Sequence, residues 1–233
     1  MKCKLPLSAL YSLTIGGLLL AVIWGSRAIT IISEHMPVER QHCIIIDAGH
    51  GGEDGGATSC TGKLESSFNL EISLRLDDLL HLLGYDTAMI RTSDVSIYTK
   101  GETIAQKKVS DLKERVRIAN CTDNALLISI HQNTFSDSRY GGAQVFYAAT
   151  DGSQQLAKEL QSAFTATVNL GGNRKSKKSD GIYLMEHITC TGVLVECGFL
   201  SNPEEEAKLR NAEYQKQVCC VIAATVSGFL SNT

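Results

Sequence analysis

The sequence predicts an α/β domain built on a largely parallel or mixed sheet with helices on both faces. Two observations carry that expectation. Short β-branched apolar runs alternate along the chain with segments whose apolar residues recur at helical spacing, and strand–helix alternation builds a sheet covered on both sides. The 233 residues are 43% apolar and 20% charged, enough to fill a sizeable core and too apolar for a disordered chain.

A separate apolar stretch comes first. Residues 1–4 carry Lys2 and Lys4, and residues 5–25 are uncharged, with LPLSALYSLTIGGLLLAVIW from Leu5 to Trp24. About 20 such residues match a ~30 Å hydrocarbon core. The stretch reads as a transmembrane helix. Lysines before it place residues 1–4 in the cytoplasm and the rest of the chain outside the cytoplasmic membrane. The alternative is a cleaved signal peptide and a secreted protein, but Arg27 in Gly25-Ser26-Arg27-Ala28 makes a poor cleavage site. Residues 26–41, with Pro37, read as a linker, and residues 42–233 as one globular domain.

In that domain Cys43 to Asp47 is a β-branched run ending in a Gly-rich loop, hence a buried strand. Phe68, Ile72, Leu76, Leu79 and Leu83 recur at helical spacing, and Gly84 ends that helix. Tyr85 to Arg91 is a second strand, and Val109, Leu112, Val116 and Ala119 mark a second helix. Ala125 to Ile130 is a buried strand. Ala143 to Ala148 and Gly181 to Leu184 are shorter strand candidates, with a helix over Leu156, Leu160 and Ala163 between them. Val193 to Val195 is the last strand, and Tyr214, Val218, Ile222 and Phe229 lie on a C-terminal helix.

Ligands of such folds gather at the carboxyl ends of the strands. Three strands run there into His50, His131 and Glu196, and Glu65 stands at the start of the first long helix. Singly, each is weak: a strand-end His is usually a hydrogen-bonded loop residue, and a helix-start Glu complements the dipole. Together they make a set. Two imidazoles, one carboxylate and an open position suit a catalytic zinc ion, with His50, Glu65 and His131 as ligands. Glu196, beside a buried run and costly there without a partner, is the candidate for proton transfer. The loop from Gly49 to Gly56 lacks a following Gly-Lys-Ser/Thr and carries Glu53 and Asp54, which would repel phosphate.

The formal net charge of −3 argues against a nucleic-acid partner. The eight cysteines form no CxxC pair, which speaks against a thiolate zinc cluster. Cys43, Cys121, Cys190 and Cys197 read as small buried hydrophobes, with one or two disulfides open outside the cytoplasm.

Six motifs then stand in order: IIIDAGHGGEDGGA (Ile44 to Ala57), LESSFNL (Leu64 to Leu70), RTSD (Arg91 to Asp94), LKERVRIAN (Leu112 to Asn120), SIHQNTF (Ser129 to Phe135) and LVECGFLSNPEE (Leu194 to Glu205). As a set they resemble the zinc-dependent N-acetylmuramoyl-L-alanine amidases of the amidase-3 type. The resemblance implies a single domain with a six-stranded sheet, one zinc ion on His50, Glu65 and His131, and Glu196 as general base and acid. It implies a peptidoglycan substrate, glycan strand and stem peptide together. The bond cut joins the lactyl group of N-acetylmuramic acid to L-alanine. The family usually carries Pro shortly before the Leu-Val-Glu strand; Cys190-Thr191-Gly192 stand there instead.

Ser96 to Val116, the lone N-terminal span and the lack of wall-binding repeats resemble the family's spore-cortex branch. That branch implies action between forespore and mother cell, a partner deacetylase that lets the muramic-δ-lactam form, a role in germination, and room for an activating protein partner. Asn133 and the basic loop with Arg174, Lys175, Lys177 and Lys178 are candidate substrate contacts; the loop reads as a surface turn or as a cation patch for stem-peptide carboxylates. Two rivals remain: a catalytically silent wall-binding module and a zinc carboxypeptidase.

Overall fold

The β-branched run becomes strand β1 (Cys43–Ala48), the second of six strands. The others are β2 (Asp86–Met89), β3 (Ala125–Asn133), β4 (Gln144–Tyr147), β5 (Lys177–Lys178) and β6 (Thr191–Phe199). Their order is β2-β1-β3-β6-β4-β5. The pairs β1–β2, β1–β3 and β3–β6 are parallel, β4 runs antiparallel to β6, and β5 runs parallel to β4. The sheet is therefore mixed. The structure, a computed structural model, describes residues 42–169 and 172–232. The expected transmembrane helix over 5–25 and linker over 26–41 lie outside them. Among the described residues no helix is long and apolar enough to cross a membrane.

Both faces of the sheet are covered, which is why β1 is apolar at successive positions. Ile44 and Ile46 point into the larger core, with helices α1 (Glu65–Leu82), α3 (Ser153–Thr167) and α6 (Ala212–Leu230). There Phe68, Ile72, Leu76, Phe164, Ile222 and Val226 are wholly or almost wholly buried, each contributing ~1.5–3 kcal/mol relative to exposure. Ile45, Leu127 and Leu194 face the smaller core, under α2 (Ile104–Cys121) and α4 (Tyr183–His187). A further short helix, α5 (Pro203–Leu209), follows β6; Asn202 caps it and Pro203 opens it.

Local chemistry sets the ends. Helix α1 closes on Gly84 at φ +87°, with Gly84 N–H to His81 O (3.0 Å) and Tyr85 N–H to Leu80 O (3.0 Å), a Schellman closure that only glycine makes without strain. Helix α2 starts with a capping box of Thr103 and Gln106. Helix α1 has no side-chain cap. Its first amides go to the Gly-rich loop instead, Glu65 N–H to Ala57 O (2.8 Å) and Ser66 N–H to Gly55 O (3.1 Å). That loop is thereby stitched to the helix that carries Glu65.

Two expectations need correction. The strand expected over Gly181 to Leu184 is absent: Tyr183–His187 is helix α4, and Lys177–Lys178 supplies the strand beside β4. Leu184, Met185 and Ile188 bury one helical face against the sheet, which four short strand positions would not do. Cys121, expected inside, is exposed at the end of α2. Cys197 and Cys219 are buried, and none of the seven described cysteines forms a disulfide. Gly192, at the family's Pro place, has its own reason: a Cβ there would lie 2.2 Å from Cδ1 of Ile188.

The end of β1 is gripped by two buried arginines. Arg91 donates to Ala48 O (2.8 Å), Gly49 O (3.0 Å) and Ser66 O (2.9 Å). Arg115, on α2, donates to the Asp47 carboxylate, to Ala48 O (3.0 Å), to His50 O (2.8 Å) and to Asp111 (2.5 Å). Ser129 also donates to Asp47. Burial pushes the Asp47 carboxyl up, but Arg115 with these hydrogen bonds outweighs it and holds the group below the usual range. Burial likewise opposes the Arg115 charge, and Asp47 and Asp111 reverse that.

Removing one member of such a pair strands a buried charge, at about 3–5 kcal/mol. Asp47→Asn is expected to lose stability of that order in urea unfolding at pH 7. Because the folded-state pKa of Asp47 lies below the unfolded value of ~3.9, its contribution is complete above that value. It fades as pH falls through the lower folded value. The gap between wild type and variant should narrow only under strongly acidic conditions; a gap already closed at pH 6 would contradict the pairing.

Candidate metal centre and active site

The loop after β1 turns sharply so that His50 faces the carboxyl edge of the sheet. His50 itself sits at φ +60°, a left-handed conformation that costs a non-glycine residue ~1–2 kcal/mol. Arg115 on its carbonyl holds it there. Gly51 and Asp54 close the loop with two backbone bonds, of 2.8 and 3.2 Å. Asp54 Oδ2 lies 2.8 Å from His50 Nδ1; with the proton on Nδ1, Nε2 is left as a free donor atom.

Glu65, in the first turn of α1, reaches both histidines. Its Oε2 lies 3.3 Å from His50 Nε2 and its Oε1 lies 3.0 Å from His131 Nδ1. The two rings stand 5.0 Å apart, edge to face. One donor atom from each of His50, Glu65 and His131 lies within 4.8 Å of the others. The carboxylate is fixed by Ala57 N–H (2.9 Å), Gln132 N–H (3.2 Å) and Asn69 Nδ2 (3.3 Å). Two glycines leave room for this cluster. A Cβ on Gly49 would lie 2.1 Å from His131 Nε2, and one on Gly56, at φ +68°, would lie 2.6 Å from Glu65 Oε2.

Burial raises the Glu65 carboxyl, but hydrogen bonds and charge from His131 and His50 outweigh it, and the group lies well below the usual range. Burial pulls His50 down, yet Asp54 and Glu65 on either side push it up to about 9. A positive charge is thus favoured at the centre of this cluster. Two nitrogens and one oxygen, held from different elements, are a donor set that a divalent cation such as zinc accepts.

Glu196 stands across from them. It is the strand neighbour of His131 on β6, and both line a cavity of about 200 Å³ with His50, Asp54, Lys108 and Arg115. Burial, with the charge of Glu65, pushes its carboxyl up to about 7. Its Oε2 is shut off from solvent and meets no protein hydrogen-bond donor. A buried carboxylate oxygen with no protein donor is uncommon and fits a group that takes part in chemistry.

The four expected residues thus meet at one place. Asn133 ends β3, two residues beyond His131, and its carbonyl accepts from Leu200 N–H (2.8 Å). Arg174 donates to Gly141 O (2.6 Å) and Gln144 Oε1 (2.8 Å) and stacks over Phe199 at 4.6 Å. Gln144 is the strand neighbour of Glu196, so Arg174 stands one strand away from the cluster. Lys175 gives its carbonyl to Gln144 (2.5 Å). Lys177 and Lys178 are exposed on the outer strand β5, away from the histidines. Residue-by-residue reading missed Asp54 as a partner of His50, and Arg91 and Arg115 as braces. Their traces were the motifs that contain them, IIIDAGHGGEDGGA, RTSD and LKERVRIAN, and the helical spacing of Lys108, Asp111 and Arg115, which puts those three on one face.

A family model described as N-acetylmuramoyl-L-alanine amidase matches residues 44–227. The chain is 38% identical over 182 residues to the germination-specific N-acetylmuramoyl-L-alanine amidase of Bacillus subtilis, covering 77% of this chain and 76% of that one. The CwlD amidase of Clostridioides difficile, solved in complex with the GerS lipoprotein, superposes with a TM-score of 0.79 at 36% identity, over 83% of this chain and 100% of that one. An N-acetylmuramoyl-L-alanine amidase of Clostridium difficile 630 superposes with a TM-score of 0.73 at 30% identity, over 84% of this chain and 100% of that one. A mixed α/β sheet that gathers His50, Glu65, His131 and Glu196 at its carboxyl edge, and a match over most of its length, make this chain a member of the N-acetylmuramoyl-L-alanine amidase family.

Proposed function

We propose that the protein hydrolyses the amide between the lactyl group of N-acetylmuramic acid and L-alanine in peptidoglycan, with one zinc ion on His50, Glu65 and His131 and with Glu196 carrying the proton. The observation that supports this most is the unpartnered Glu196 oxygen facing a three-donor cluster. When bound, zinc supplies Lewis acidity that polarises a carbonyl and makes water more acidic. The chain does the rest. Glu65 binds in its ionised form, which its lowered pKa provides. Asp54 orients His50 through Nδ1. Glu196, with a carboxyl near pH 7, accepts the proton of the attacking water and returns it to the leaving amine. Lys175, Lys177, Lys178 and Arg174, with Asn133 nearer the cluster, are the proposed contacts for the stem peptide, whose carboxylates need positive charge.

The physiological setting follows the relatives. The Bacillus subtilis relative is germination-specific, and the Clostridioides difficile relative binds a lipoprotein. We place this chain in spore cortex formation, with a protein partner of the lipoprotein kind and a deacetylase acting on its product. Residues 1–4 would lie in the cytoplasm, 5–25 anchor the chain, 26–41 link, and 42–233 form the catalytic domain outside the membrane. Digestion of purified cortex peptidoglycan followed by mass spectrometry tests the reaction. Release of whole stem peptides supports the amidase; release of terminal residues alone means a carboxypeptidase, and no release from zinc-loaded protein means a binding module.

Two sets of variants separate metal binding from catalysis. His131→Ala should hold well below one zinc per chain and be inactive. Gly49→Ala keeps every ligand but forces the His131 ring aside, so it too should lose zinc; zinc content measured on the purified variant decides this. Glu196→Gln should keep full zinc and lose about 10²–10⁴-fold in turnover, mainly in kcat. Loss of zinc in Glu196→Gln would make Glu196 a ligand and sink this division of roles.

A further inference from the structure

A shelf of aromatic rings leads away from the site. Phe135 and Tyr140 are each about half exposed, at 52% and 50%, and meet edge to face at 4.8 Å. Tyr140 lies 6.5 Å from the Phe199 ring, over which Arg174 stacks at 4.6 Å. Arg174 in turn holds Gln144, the strand neighbour of Glu196. A continuous run of contacts therefore joins Glu196 to the two exposed rings. The chain direction agrees. Phe135 follows β3 at the carboxyl edge, and β4, antiparallel to β6, begins just after Tyr140 at the same edge.

The shelf is built rather than loose. Ser201 Oγ accepts from the Phe135 amide (3.0 Å), and Asn202 Nδ2 donates to the Tyr140 carbonyl (3.2 Å). Asp137 pairs with Arg139 at 2.7 Å between them. Large aromatic side chains normally bury 150–250 Å² each. Two held half-exposed at the same sheet edge as the cluster are poised to cover an apolar face of a ligand.

We propose that Phe135 and Tyr140 form a subsite for the glycan strand, with a sugar ring laid on the exposed aromatic faces. The proposal rests on the amidase reading, since the scissile bond sends one arm along the glycan and the other along the peptide. Charge divides the two arms. Beside the exposed rings Asp137 and Arg139 neutralise each other. At the inner end Arg174 is engaged with Gly141, Gln144 and the Phe199 face, and Glu205 accepts from the Gly142 and Phe199 amides. The outer rim therefore suits the hydroxyls of a sugar, whose C–H faces suit the rings. The acidic stem peptide fits the lysines of the basic strand better.

The probe is a peptide-free tetrasaccharide of alternating N-acetylglucosamine and N-acetylmuramic acid, titrated calorimetrically against the purified full-length protein. Phe135→Ala and Tyr140→Ala should each weaken its binding about tenfold or more, as loss of an aromatic anchor does. Tyr140→Phe, which keeps the ring, should bind nearly as the wild type. Unchanged thermal unfolding in the alanine variants would show that the shelf, not the fold, is lost. No binding by the wild type, or equal binding by the alanine variants, overturns the proposal. So does loss of binding to isolated stem peptide with glycan binding intact. A wild type that binds the tetrasaccharide but releases no stem peptide would instead overturn the amidase reading and leave the shelf standing.

Discussion

The carbonyls of Ala48, Gly49 and His50 are held by Arg91 and Arg115, two side chains that are themselves almost wholly buried. The rest of the site depends on that grip. A strand that ends and turns under a helix leaves carbonyls with no ladder partner, and each left unsatisfied costs about 1–3 kcal/mol. Guanidinium groups satisfy several at once, in a fixed plane. Arg115, through the His50 carbonyl, also holds that residue in its left-handed conformation. Asp47 and Asp111 neutralise Arg115, so that half of the brace is not a bare cation, while Arg91 directs its donors to carbonyls.

The cluster has the opposite electrostatic need. Asp54 and Glu65 flank His50, Glu65 also reaches His131, and Glu196 faces them from β6. Three carboxyl groups around two imidazoles favour a cation at their centre. In the protein alone, a proton on His50 meets that need, which is why its pKa stands near 9. A divalent ion on the three donors, as proposed, would meet it better. It would leave outside the donor set Glu196, the carboxylate whose buried oxygen has no protein partner among the described residues. Structure and proposed chemistry thus share one cause: charge held in a partly buried cleft by groups from β1, α1, β3 and β6.

Much of this was legible in the sequence because its signals are local. The run of isoleucines in β1, the helical spacing of Phe68, Ile72 and Leu76, and the strand ends at His50 and His131 needed only periodicity and the carboxyl-edge rule. What was not legible depended on distant pairing. The partnership of Asp54 with His50 is four residues long but arises only when the loop closes. The grip of Arg115 on residues 47–50 spans a helix and a strand. The short helix at Tyr183–His187 was misread as a strand because an apolar run of four residues has no period to distinguish the two. The aromatic shelf was not legible, since Phe135 and Tyr140 share the loop after β3 while Phe199 ends β6, and only the folded sheet brings the two segments together.

The central claim is that His50, Glu65 and His131 hold the metal while Glu196 stays free of it. Diffraction at the zinc absorption edge from crystals of the zinc-loaded protein measures this directly. The account predicts a single anomalous peak at ligand distance, ~2.0–2.2 Å, from His50 Nε2, a Glu65 oxygen and His131 Nδ1, with the Glu196 carboxylate outside that distance. A peak bonded to Glu196, or one lying on cysteine sulfurs away from the two histidines, would contradict it.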